Sequence, residues 1–284
     1  MKRLLARIFP DRVLRPLRTL WHRAQTLDPR RIALHRRFLR LNRGAGADEI
    51  VLRPGLRVAV DPQAREPFEW FCFRSPEMTR ELDGFLAHSR DRSRFLDVDA
   101  CHGLFALAFT QGRPEREAVA VDPSPLAWEV LAANVAGNPG ARVTPVRAAL
   151  GETPGTLTMR YSWHHLEASP EAAGSPDAVE VPVRTVDDLC AELGFRPDVL
   201  KVDVEGYELA VFRGALRTLR EERPVLFLEL HPQRLRELGT SVGEVAALLA
   251  ELNYRIFDLN DAPVSAARLA ALSAVSRFRC EPGL

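Results

Sequence analysis

The sequence is short of several things at once. It has four cysteines, Cys72, Cys101, Cys190 and Cys280, far apart, with no Cys-x-x-Cys pair and no zinc-site spacing; this excludes a zinc module and points to a reducing compartment. No apolar run reaches the roughly 18 residues a membrane-spanning helix needs. The start, MKRLLARIFPDR, is cut at Pro10 and stays charged afterwards, so it reads as neither a transmembrane segment nor a signal peptide. A soluble, cytoplasmic chain is the expectation. Lysine is almost missing: of 39 basic residues, only Lys2 and Lys201 are not arginine. Lys201 is therefore conspicuous, because a compact, rotatable ammonium does something at a tight site that the planar guanidinium fork cannot. A surplus of one charge sign is also lacking, with 39 basic against 38 acidic residues.

That balance hides a dipolar chain. Residues 1–43 hold thirteen basic side chains against Asp11 and Asp28, so the remainder is acidic by about the same margin. Within this arm Leu17, Leu20, Trp21 and Ala24, and after Pro29 Leu34, Phe38 and Leu41, recur at helical spacing with arginines on other faces. The arm is expected to pack as a helical cap; the sharper reading is a basic surface for an anionic membrane or an acidic partner. No specific nucleic acid partner is expected. The small, Gly-rich stretch 42–47 reads as a linker, dividing the chain into a basic helical extension (1–46), a lead-in of short strands and a helix (47–92) and a main domain (93–284).

With 284 residues, 46% of them apolar, the chain can bury one sizeable core. Strand-length apolar runs at 95–98, 118–121, 143–146, 199–204 and 225–230 alternate with helical patterns at 104–109, 126–135, 186–193 and 209–219. This alternation predicts an α/β, Rossmann-like, doubly wound and mostly parallel sheet covered on both faces. Further strands are expected at 254–259 and 274–279 around a helix at 265–273, and an inserted hairpin from 156–161 and 179–183.

In such sheets ligands sit beyond the carboxyl ends of the strands, where the strand order reverses. The first strand runs into Asp97-Val98-Asp99-Ala100-Cys101-His102-Gly103, the second into Asp122-Pro123-Ser124-Pro125. An acid at the second strand's end, about twenty-five residues after the first turn, suits a ribose diol. Ser124 and Pro125 read equally well as N-cap and first residue of the next helix. The fourth strand leads into Lys201-Val202-Asp203-Val204-Glu205-Gly206-Tyr207-Glu208. Strand alternation puts Lys201, Asp203 and Glu205 on one side, an arrangement that a buried ion pair or a functional pocket would explain. The fifth ends in Glu229-Leu230-His231, and His231 is a candidate base or structural histidine. His164 and His165, near Trp163 and Tyr161, read as loop residues. No Gly-x-Gly-x-x-Gly follows the first strand, which disfavours a nicotinamide-dependent oxidoreductase.

Taken together, the Asp97 to Phe105 turn, Asp122 to Pro125 with Asn134, the Thr185-Val186-Asp187-Asp188-Leu189 segment, and above all Lys201 to Glu208 with Gly214-Ala215 resemble the FkbM family of S-adenosylmethionine-dependent methyltransferases. The likeness runs from about residue 94 to 231. It implies a sheet of the class I methyltransferase type and S-adenosylmethionine as cofactor. The acceptor it implies is a small-molecule hydroxyl on a sugar, polyketide or other secondary metabolite. It further implies that Asp97, Asp99, Ala100 and Gly103 hold the methionine part of the cofactor and that Asp122, Pro123 and Ser124 hold its nucleoside. Asp203, Glu205 and Glu208, with Lys201 and His231, then stand at the reaction centre; no metal is expected. One departure stands out. The family's first turn usually reads Asp-x-Gly-Ala, with an asparagine two residues after the glycine; here those places hold Asp99 and Cys101. That substitution leaves a methyltransferase-like binding or scaffold module as the competing reading.

Overall fold

The computed structural model describes residues 48–162, 165–168 and 178–283; the basic arm and its linker, Trp163 and His164 lie outside them, as do the side chains of Tyr161 and His165. The described chain opens with a hairpin, β1 (Glu49–Arg53) and β2 (Leu56–Ala59), then α1 (Pro62–Glu69), a π-turn at Trp70–Arg74, and α2 (Pro76–His88). The alternating part follows: β3 (Arg94–Val98), α3 (Leu104–Thr110), β4 (Glu117–Val121), α4 (Pro125–Gly137) and β5 (Val143–Val146). After an inserted unit of β6 (Ala149–Leu150), β7 (Gly155–Ser162), β8 (His165–Ala168) and β9 (Ala178–Arg184), the alternation resumes with α5 (Val186–Leu193) and β10 (Val199–Val202). The chain continues through α6 (Glu208–Arg213), α7 (Leu216–Glu221), β11 (Val225–Leu230), α8 (Pro232–Glu237) and α9 (Val242–Glu251). It closes with β12 (Tyr254–Asp258), β13 (Pro263–Val264), α10 (Ala266–Ala270) and β14 (Ser276–Pro282).

The main sheet has eight strands in the order β13-β12-β14-β11-β10-β3-β4-β5. From β11 to β5 neighbours are parallel, whereas β14 is antiparallel to both β11 and β12. The chain therefore builds outward from β3 in one direction and then returns to β3's other side with β10, which puts the reversal of strand order between β3 and β10. Strand alternation divides the core. Leu96, Val119, Leu200, Val202 and Leu228 face one layer with Phe212, Leu219 and Leu249. Phe95, Ala118, Val199 and Phe227 face the other, where the lead-in supplies Ile50, Leu52, Phe68 and Phe85. In that second layer the Phe85 ring lies 4.9–5.1 Å from those of Phe95, Phe105 and Phe227, within the range in which aromatic pairs add to simple burial. Residues 48–92 thus help cover the same sheet.

Several boundaries differ from the sequence reading, among them a helix expected at 265–273 that is confined to Ala266–Ala270. The fourth strand stops at Val202, not 204, because Glu205 and Gly206 take left-handed φ of 48° and 105° and turn the chain away. The single helix expected over 209–219 is two, broken at Gly214-Ala215 where Asp187 accepts from the backbone N–H groups of Arg217 and Thr218 and starts α7 anew. The last strand begins and ends later than expected, at Ser276 and Pro282. The expected hairpin is present as β7 against β9. No helix among the described residues is long and apolar enough to cross a membrane.

Candidate active site

The crevice at the β3/β10 reversal is shaped by unusual backbone. Asp99 and Cys101 sit at φ of 67° and 50°, with Gly103 at 84°. The glycine place in this turn therefore does require the left-handed region, and aspartate is among the few other residues that enter it at modest cost. The Asp99 and Ala100 N–H groups both donate to the Val121 carbonyl at 2.9 Å, pinning the turn to the end of β4. Gly103 has a packing reason for its identity: a Cβ there would lie 2.5 Å from Leu131 Cδ1. Asn134 locks the same region, donating to the His102 carbonyl at 2.8 Å and accepting from the Asp61 N–H at 2.6 Å. Ser124 caps α4 and Pro125 begins it, with the Ser124 side chain accepting from the Ala127 N–H.

Asp122 is buried at the end of β4. One carboxylate oxygen accepts from the Cys101 N–H at 2.7 Å, the other from the Ser124 N–H at 2.8 Å. Burial pushes its carboxyl up to about 7 in spite of these bonds. Asp99 is raised as well, by burial and then by Asp122 itself, so the Asp122 carboxylate opposes ionisation of Asp99. Asp97 is 1% exposed; burial pushes it to about 7 against the pull of Lys201.

Lys201 does not line the opening. In register with Asp97 and Phe227, it is buried in the aromatic layer, its Nζ 4.9 Å from the centre of the Phe105 ring and 2.9 Å from Asp203 Oδ2. Burial opposes its charge, but Asp203, Glu81 and Asp97 outweigh it and hold the ammonium protonated. Asp203 is half-buried; desolvation opposes its charge, but Lys201 and then His231 hold it below its usual range. From β11, His231 receives the rest of the cluster. Its Nδ1 is 2.7 Å from Oε1 of Glu208, a fully buried side chain that also accepts from the Gly206 N–H. Its Nε2 faces Glu205 at 3.5 Å, Glu229 at 3.7 Å and Asp203 at 3.9 Å. Burial works against the imidazolium, yet the Glu208 bond and the carboxylates of Glu205 and Asp203 raise His231 to about 9. The structure thus brings Asp203, Glu205, Glu208 and His231 together, with Lys201 beneath them and Asp97 beside it.

Two members of this network escaped the sequence reading. Arg277 on β14 pairs with Glu229 across the strands at 2.7 Å and with Glu81 of α2 at 2.8 Å. The signal for Glu81 was present: it falls three residues after Met78 and four before Phe85, on the apolar stripe of α2, where an unpaired acid would be costly. Asp203, Glu229 and His231 offer ligand atoms within 4.8 Å of one another, with Lys201 and Arg277 paired to the two acids.

A parallel sheet reversing at β3/β10, one antiparallel strand between its fifth and sixth members, and an acid closing the second strand define an α/β fold of the class I methyltransferase type. Residues 97–256 match the family described as Methyltransferase FkbM domain, and the chain belongs to that family. It is 28% identical over 152 residues to Methyltransferase sdnD of Sordaria araneosa, a match covering 42% of this chain and 59% of that one; the chain thus spans less than two thirds of that relative's length. Among solved structures it is similar to Methyltransferase FkbM from Methylobacillus flagellatus KT, with 18% identity, TM-score 0.42, and coverage of 67% of this chain and 44% of that chain. It is also similar to Trm1 from Pyrococcus horikoshii, solved with S-adenosyl-L-methionine, with 17% identity, TM-score 0.41, and coverage of 80% and 60%.

S-adenosylmethionine is the cofactor of this family, and the residues at the reversal point fit it in kind. Val98, Val121, Pro123, Leu150 and Val204 give apolar walls for a purine. Asp122, 2% exposed, stands behind this wall at the end of β4, where its carboxylate has the chemistry to accept from a ribose diol. The cavity itself is about 30 Å³, room for one water, with Leu157, Met159 and Tyr207 closing it; a nucleoside enters only if these side chains give way.

Proposed function

We propose that the chain transfers a methyl group from S-adenosylmethionine to a hydroxyl of a small molecule such as a sugar or polyketide. The observation that carries the reading is the buried Glu208–His231 pair, whose Nε2 faces the carboxylates of Asp203 and Glu205 at the exit of β10. When bound, the cofactor supplies an electrophilic methyl group on a cationic sulfur. A hydroxyl must lose its proton as the new bond forms, and a base within hydrogen-bond reach accelerates that loss. Neutral His231 takes this proton at Nε2, while Glu208 fixes the tautomer by accepting from Nδ1–H and then stabilises the imidazolium. Because His231 sits at about 9 before anything binds, it carries a proton at neutral pH. A second positive charge brought into the crevice lowers that value, so cofactor loading and activation of the base are coupled. Glu205, the most exposed carboxylate of the cluster, accepts from a neighbouring hydroxyl of the acceptor and so orients the reacting one. Asp203, held ionised by Lys201, keeps the crevice negative opposite a sulfonium. Alignment of donor and acceptor supplies much of the remaining rate.

A second reading, a methyltransferase-like binding module that has lost catalysis, draws on Asp99 in the glycine position. One experiment separates them: incubation with S-adenosylmethionine carrying a deuterated methyl group and a panel of sugars and hydroxylated polyketides, followed by mass measurement of each acceptor. The expected result is an intact labelled methyl group on oxygen, lost in His231→Ala. Transfer to nitrogen or carbon alone would overturn the hydroxyl assignment, and tight cofactor binding without transfer to any acceptor would favour the module.

A further inference from the structure

On the same rim of the sheet a second depression opens, lying between α2, the β12–β13 turn, α10 and the start of β14. Its volume is about 360 Å³, within the size range of small-molecule sites. Its polar lining is dominated by guanidinium groups from three separate elements: Arg80 on α2, Arg268 on α10 and Arg277 on β14. The acids lining it are Glu77 and Asp258. Glu77 is engaged by Arg277 at 3.1 Å, and Asp258 accepts from the Asn260 and Ala262 N–H groups of its own turn. Arg80 meets only the neutral Asn260 side chain, at 3.0 Å, and Arg268 has no side-chain partner among the described residues. Two exposed guanidinium groups without a carboxylate partner face one groove in a domain that is otherwise acidic.

The groove is also wired to the base. Arg277, part of its lining, donates to Glu229 at 2.7 Å, and Glu229 lies 3.7 Å from His231 Nε2. A molecule seated on Arg277 is linked through Glu229 to the proton acceptor. We propose that this groove binds the methyl acceptor and that the acceptor carries an anionic group, a carboxylate or a phosphate, held by Arg268 and Arg80. Guanidinium forks match both anions in geometry and charge. The site would thus be divided: negative where a cationic sulfur belongs, positive where the acceptor's anion belongs. The proposal rests on the methyl-transfer reading and narrows its substrate class.

The test is calorimetric titration of the whole chain with glucuronate and with glucose 6-phosphate, with glucose as the neutral control and S-adenosylhomocysteine titrated separately. At least one anionic sugar is expected to bind while glucose does not, and the arm that binds names the anion. Arg268→Ala and Arg80→Ala, both at exposed positions, are each expected to weaken that binding about tenfold and to leave S-adenosylhomocysteine affinity unchanged. Arg113→Ala, exposed on the opposite edge of the sheet, should change nothing. Equal binding of all three sugars, binding of neither anion, or loss of binding in the Arg113 variant as well would overturn the proposal. Failure of S-adenosylhomocysteine to bind the unaltered chain would instead overturn the methyl-transfer reading.

Discussion

Glu208→Gln is the most informative single change, because it removes a charge from the His231 dyad while keeping an acceptor of the same shape. Glu208 is fully buried and holds His231 Nδ1 at 2.7 Å. Its hydrogen bond is the largest of the effects that raise His231 from 6.5 to about 9. A shift of that size corresponds to about 3 kcal/mol of preference for the folded chain with His231 charged. Since the folded value lies above the unfolded one, this stabilisation is complete below pH 6.5 and drains away as the pH rises to about 9. At roughly 2–4 °C per kcal/mol for a chain of this size, the melting temperature should fall by about 6–12 °C across that window from this group alone. Buried acids such as Glu229, raised by burial and by Asp203, add to the same slope, so the difference between the two chains isolates the dyad. The assay is thermal unfolding followed by circular dichroism from pH 6 to 9.5, alongside an NMR titration of the His231 ring. The glutamine variant should show a much flatter stability curve and a His231 midpoint at least one unit lower. Parallel curves for the two chains, or a His231 midpoint near 6.5 in the unaltered protein, would refute the reasoning.

Other outcomes follow from the same geometry. Lys201→Met leaves Asp203 and Asp97 without their buried cation and should cost about 3–5 kcal/mol in urea unfolding; a loss under 1 kcal/mol would contradict the burial assigned to that ammonium. Gly206→Ala places a Cβ 2.6 Å from Arg234 Cβ and 2.9 Å from its carbonyl carbon at a φ of 105°. It should destabilise by several kcal/mol in the same assay, since the neighbour struck is backbone and the residue cannot easily hold that φ. Asp99→Gly removes the acid facing Asp122 and should tighten S-adenosylhomocysteine binding about tenfold in a calorimetric titration; unchanged or weaker binding would contradict the opposition assigned to Asp99.

The central strands were readable because buried parallel strands carry unbroken apolar runs: 95–98, 118–121, 143–146 and 225–230 lie at or within one residue of the observed elements. Periodicity failed where side chains outside the segment decided the outcome. Nothing within 209–219 reveals that Asp187, thirty residues away, restarts the helix at Leu216. The candidate residues were found from their position at strand ends, but the reasons for their grouping were partly different. Asp203 meets Lys201 at 2.9 Å, on the side that strand alternation predicts, whereas Glu205 reaches the cluster through a left-handed turn. Lys201 lies beneath the crevice and supports Asp203. Glu81 and Arg277 were hidden because their partnership joins residues nearly two hundred apart through packing of α2 on β14. Asp99 was visible as an oddity, and the structure supplies the reason it is tolerated, a φ of 67° that aspartate can hold.

The central claim is that the β3/β10 crevice is built for S-adenosylmethionine. Calorimetric titration of the chain with S-adenosylhomocysteine, repeated on Asp122→Ala and with NAD as a comparison ligand, tests it most directly. The account expects one saturable site in the unaltered chain, affinity at least about tenfold weaker in the variant, and no response to NAD. Absence of binding to the unaltered chain, or equal affinity in Asp122→Ala, would contradict it.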